Sequence, residues 1–132
     1  MSRSRWIFVM VAALSVGAAC SDDPVGGAQA GALVVRLTTP HADDGAVMFE
    51  VSGPAIDTAI VVNASLRLFT RRASSSTIVA VVVGAVGSGA VVTLQVPDVG
   101  AVAGYTARVL EVADRQSALR ASLTGYALTV GP

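Results

Sequence analysis

The sequence predicts an all-β protein, a single antiparallel β-sandwich of about seven to eight strands, and three observations carry that expectation. From Ala32 onward, short runs of Val, Leu, Ile and Thr alternate with polar residues at the period of two that a half-buried strand requires. Gly, Pro, Asn, Asp and Ser interrupt these runs at close to the spacing of an all-β domain. The stretch from residue 32 to 132 is about 100 residues long, enough to bury one core but not two.

Eight strands are expected in order. The first is Ala32 to Thr38, where Leu33, Val35 and Leu37 alternate with Val34 and Arg36; Pro40 to Gly45 ends it, with Asp44-Gly45 as a hairpin signal. Ala46 to Ser52 is the cleanest alternation, with Val47, Phe49 and Val51 on one face and Met48 and Glu50 on the other. Gly53-Pro54 closes it. Thr58 to Val62 and Ser65 to Thr70 follow, and Arg71 to Ser76 reads as a polar loop.

No charge occurs between Arg72 and Asp98. One reading of Thr77 to Val96 is a transmembrane helix, since the length suits a bilayer span. The other is a buried hairpin, with strands Ile78 to Val83 and Ala90 to Val96 around a turn at Gly84 to Gly89. The hairpin is favoured because three glycines and a serine break the run at its midpoint, and because Val92, Leu94 and Val96 alternate with Val91, Thr93 and Gln95. Pro97 to Gly104 is a loop, Tyr105 to Val112 the seventh strand, Asp114 to Arg120 a polar segment suited to a turn of helix, and Ser122 to Val130 the last strand.

Leu94, Pro97-Asp98 and Tyr105-x-Ala107-x-Val109 resemble the strand, corner and strand of fibronectin type III and other immunoglobulin-like sandwiches. The resemblance implies that Tyr105 is a corner tyrosine whose hydroxyl bonds back to the chain, with Ala107 and Val109 facing the core. It covers about a fifth of the domain, so it bears on the fold alone.

Ahead of the domain, Arg3 and Arg5, an uncharged run from Trp6 to Leu14 and the small residues Ser15 to Ala19 have the order of an export signal. Val16-Gly17-Ala18-Ala19-Cys20 resembles the lipobox of bacterial lipoproteins, although Gly17 stands where that family usually carries leucine. The resemblance implies a signal peptide over residues 1–19, with Cys20 lipidated as the mature N-terminus, and Ser21 after it would favour sorting to an outer membrane. An ordinary secretory signal, cut beside Ala19 or at Ala28-Gln29-Ala30, is the alternative, giving a secreted or periplasmic protein. Residues 20–31 then form the lipidated cysteine and a flexible tether, rich in Gly, Ala and Asp with little to bury.

Composition narrows the function. The nine basic residues are all arginine, and removing Arg3 and Arg5 leaves seven against nine acids, a mildly acidic domain unsuited to nucleic acid. A single cysteine excludes an intrachain disulfide. His41, Asp43 and Asp44 are the only histidine with neighbouring carboxylates, the weak candidates for a metal site or a small envelope enzyme; a hairpin turn explains them more simply. Gly84, Gly87 and Gly89 spell GxxGxG and precede a strand, unlike a phosphate loop. Ser88 lacks the GxSxG elbow of a nucleophilic serine.

Arg67, Arg71 and Arg72 form the one basic cluster, fit to bind an envelope protein or an anionic glycan or to protect a strand edge. The expectation is therefore a non-catalytic binding or structural module of a bacterial envelope, held at the membrane by its lipid and implying no cofactor.

Overall fold

A computed structural model describes residues 27–132. The expected signal peptide, Cys20 and the start of the expected tether lie outside the described residues. Eight strands follow in order: β1 (Gly31–Thr38), β2 (Asp44–Ser52), β3 (Thr58–Val61), β4 (Arg67–Ser74), β5 (Thr77–Val86), β6 (Gly89–Val96), β7 (Thr106–Asp114) and β8 (Ala127–Gly131), with a 3-10 helix at Val99–Gly104 between β6 and β7. They make two four-stranded sheets, in the order β3-β6-β1-β8 and β4-β5-β2-β7. All pairings are antiparallel. The all-β sandwich expected from the alternating runs is the fold.

The core follows from the period-two pattern. β1 contributes Leu33, Val35 and Leu37, β2 contributes Val47, Phe49 and Val51, β5 contributes Ile78, Ala80 and Val82, and β6 contributes Val92, Leu94 and Val96, all buried. These are the inner strands of both sheets, so each has a neighbour on either side and its inward side chains lose nearly all contact with water. Each of these side chains except the small Ala80 contributes about 1.5–3 kcal/mol by leaving water. The edge strands β3, β4 and β8 are covered only in part.

Connectivity differs from the expected hairpins. Only β4 and β5, among strands consecutive in sequence, share a sheet; β1 and β2 lie in opposite sheets, and so do β5 and β6. The run Thr77 to Val96 is therefore neither a transmembrane helix nor a hairpin: β5 continues to Val86, the chain turns at Gly87 and Ser88, and β6 begins at Gly89 in the facing sheet. Both strands are central and apolar on their inner faces, while Val79 and Val81 on the outer face of β5 are half-covered by β2 and β4. That double cover explains an uncharged run without a bilayer. No helix among the described residues is long and apolar enough to cross a membrane.

Relative to an immunoglobulin domain, β2, β5 and β4 reproduce the neighbouring strands B, E and D, and β3 with β6 reproduces C and F. The first and seventh strands exchange sheets, with β1 beside β6 and β7 beside β2. Tyr105 sits at the crossing into β7, buried, and its hydroxyl donates to the carbonyl of Ala55 in the β2–β3 connection. Its ring lies against the backbone of Gly53, where an added Cβ would fall 2.1 Å from Cδ1. Ala107 and Val109 pair with Val51 and Phe49, which places them on the inner face, as expected.

Candidate functional site

The charged side chains gather at the end of the sandwich where β1 finishes and β2 starts. A straight alternation along β2 would put Asp44 on the outer face with Ala46, Met48 and Glu50. Gly45 instead is the extra residue of a bulge against β7, with Asp44 opposite Asp114 and Ala46 opposite Ala113, and the register to β5 shifts at the same place, with Asp44 opposite Val86 and Ala46 opposite Val83. The bulge turns Asp44 inward, and it is fully buried. Glycine is required there because a Cβ would fall 2.7 Å from the carbonyl oxygen of Asp114.

A buried carboxylate needs partners for its lone pairs. Asp44 Oδ1 accepts from Arg120 Nε at 3.2 Å, from Arg120 Nη2 at 2.9 Å and from the Tyr126 hydroxyl at 2.8 Å, while Oδ2 accepts from the Thr39 hydroxyl. Arg120 Nη2 also donates to Asp43 Oδ1 at 2.7 Å. Thr39 and Asp43 belong to the β1–β2 connection, and Arg120 and Tyr126 to the β7–β8 connection, so the cluster fastens two crossovers together. A backbone bond from Arg115 N to Asp43 O at 2.9 Å adds to the join, and one from Arg120 N to Val112 O at 2.8 Å holds the β7–β8 connection against β7.

Charge follows geometry. Burial pushes the Asp44 carboxyl up, but the hydrogen bonds from Thr39, Arg120 and Tyr126 outweigh it and hold the group below its ordinary range. The hydrogen bond from Arg120 likewise lowers Asp43. Bonding to Asp44, and then to Asp43, raises Arg120, while burial, then the bond to Asp44, raises the Tyr126 phenol. The cluster is a closed ion pair, charged throughout the neutral range.

His41, Asp43 and Asp44 come close together, but not as a metal centre. The oxygens of Asp44 are occupied by Arg120, Tyr126 and Thr39, and the His41 ring lies against Tyr126 with centroids 5.9 Å apart. Among the described residues no group of three His, Cys, Asp or Glu side chains is placed to hold a metal ion, and no pocket opens. Asp44-Gly45, expected in a turn, begins a strand, because the bulge uses the same residues to bury the carboxylate.

Arg71 and Arg72, expected in a loop, continue the strand that holds Arg67. All three lie in β4, and the strand's alternation divides them: Arg67, Phe69 and Arg71 face outward, opposite Val83, Val81 and Val79, while Arg72 falls on the other side. Arg72 Nη2 donates to the carbonyl of Ile56 at 2.7 Å, which pins the β2–β3 connection. The basic cluster is thus one structural arginine and two outward ones.

Arg120 and Tyr126 were not apparent in the sequence as site residues. Arg120 ends a polar segment and Tyr126 alternates with apolar residues, so neither signals a buried carboxylate partner. An inward acid could have been read only by recognising Gly45 as a bulge. The chain matches no known protein family, no curated protein and no solved structure.

Proposed function

We propose that the chain is a bacterial envelope lipoprotein, anchored through a lipid on Cys20, whose sandwich serves as a non-catalytic binding or structural module. The observation that carries the reading is the small-residue stretch ending in Cys20, followed by a short tether and one compact sandwich. Ser21 favours an outer membrane or cell-surface address. The way the chain enters the domain supports an anchored arrangement. Gln29 donates its backbone N–H to Asp98 Oδ1 at 3.2 Å and accepts from Val99 N at 2.8 Å, so the end of the tether is fastened to the 3-10 helix. β1 then runs eight residues, about 25 Å, to the opposite end of the sandwich, where the Asp44 cluster braces the far connections. A module anchored this way holds its far loops and strand edges away from the bilayer.

The non-catalytic reading rests on the occupied state of the Asp44 cluster. Both oxygens of Asp44, the one buried carboxylate among the described residues, are hydrogen-bonded within the fold, which suits bracing rather than proton transfer to a substrate. Cys20→Ala tests the anchor: the wild-type protein is expected in the membrane fraction with its signal segment removed, and the variant either in the soluble fraction or still carrying residues 1–19. A variant that is membrane-bound and shortened like the wild type would sink the lipid anchor.

A further inference from the structure

β4 is an edge strand, paired to β5 on one side and to no strand on the other among the described residues. Edge strands present unpaired N–H and C=O groups, and they accept further strands unless something prevents it. On its outer face β4 places Arg67, Phe69 and Arg71 in a row. Alternate residues of a strand lie about 6.6 Å apart, so the two guanidinium groups flank the aromatic ring. Phe69 is 59 % exposed.

Neither Arg67 nor Arg71 forms an ion pair or side-chain hydrogen bond among the described residues, in contrast to Arg108 on Glu50 and Arg120 on Asp43 and Asp44. Across the sheet the row from Phe69 passes Val81 to Met48, giving the ring an apolar floor to one side and an open edge to the other. On the inner side of the strand Arg72 is tied to Ile56 O. The outward face is therefore basic, apolar, basic, with most of the ring exposed and both guanidinium groups without a partner among the described residues.

We propose that β4 receives an extended segment of a partner protein that presents acid, apolar and acid residues alternately on one face. Directly opposed residues on neighbouring strands are the ones that interact, so the two acids would meet Arg67 and Arg71 while the apolar residue lies against Phe69. A second copy of this chain is a poor occupant, because antiparallel pairing of two β4 strands about Phe69 would set Arg67 of each copy against Arg71 of the other. The proposal rests on reading the domain as a binding module, yet it fails separately. An unlipidated Cys20 would remove the anchor and leave β4 untouched, and an idle β4 would leave the lipid in place.

The test uses the protein purified from its host membrane and the synthetic peptide Thr-Glu-Thr-Val-Thr-Glu-Thr, read by amide hydrogen exchange. The peptide is expected to slow exchange in β4 alone, and to do so less as salt is raised. The same peptide with lysine for glutamate is expected to have no effect. Arg67→Glu with Arg71→Glu should weaken the wild-type response about tenfold, with an unchanged melting curve.

No slowing at about 1 mM peptide, a level that detects even feeble complexes, would overturn the proposal. So would slowing confined to another strand, or an equal response from the double variant. Capture of a sulfated oligosaccharide by β4 while the peptide fails would assign the row to a glycan instead. A peptide-free dimer protected at β4 would assign it to a second copy.

Discussion

Asp44→Asn keeps the shape of the side chain and removes the charge that Arg120 faces. Removing one partner of a buried ion pair costs about 3 kcal/mol, and because Asp43 still accepts from Arg120 the loss is expected at or below that figure, read as a lower urea midpoint with an unchanged slope. The sign of the pH effect follows from the lowered carboxyl. Asp44 is below its ordinary 3.8 in the folded chain, so its contribution is present above that value and is lost as pH falls through the folded value beneath it. The wild-type urea midpoint should hold steady from neutral pH down to the carboxylate range and drop below about pH 4, while Asp44→Asn shows a shallower drop. Tyr105→Phe deletes one hydroxyl and leaves the Ala55 carbonyl without its donor, an expected cost of about 1–2 kcal/mol in thermal or urea unfolding. Tyr105 was legible in the sequence through its corner motif. Arg120 was not, since nothing near it in sequence points to a carboxylate 76 positions earlier.

At the scale of elements, seven of the eight strands lie close to where alternation places them, because each must hide one face, and hiding one face writes a period of two into the chain. β8 is shorter than expected. It begins at Ala127, since Tyr126 is drawn into the Asp44 cluster and the residues before it form a loop held by Asp114, which accepts from Gln116 N at 2.8 Å and Ala118 N at 3.0 Å. β4 extends through Arg71 to Ser74, where polarity suggests a loop, because an edge strand with little to bury need not be apolar.

Pairing was less legible than the strands themselves. Glycine and aspartate mark where the chain turns, not whether it returns in the same sheet or crosses to the other. The β2 bulge illustrates the limit, for Asp-Gly there is a strand entry. Gly45→Ala should cost about 1–3 kcal/mol, because the new Cβ meets the Asp114 carbonyl oxygen and the strand must shift to clear it. If the bulge sets Asp44, the same variant should also shift the Tyr126 ring signals in an NMR spectrum, while a local clash alone would leave them in place.

For the molecule as a whole, the arrangement of ends gives the account its shape. The tether is fastened beside the 3-10 helix, the core strands span the sandwich, and the ion-pair cluster closes the opposite end. The two sheets present four edges, and β4 carries a basic, aromatic row whose arginines make no ion pair or side-chain hydrogen bond among the described residues. Such a body needs no active-site cleft to work as an anchored binding or structural module. The proposed anchor is legible only in sequence, as a signal-like segment ending in Cys20, and the envelope assignment depends on that residue while the β4 proposal does not. The most direct measurement is mass spectrometry of the N-terminal peptide from protein purified out of its native host. The account predicts a mature chain that begins at Cys20 with a diacylglyceryl group on its sulfur. A chain that retains Met1, that begins beyond Cys20, or that carries Cys20 unmodified would contradict it.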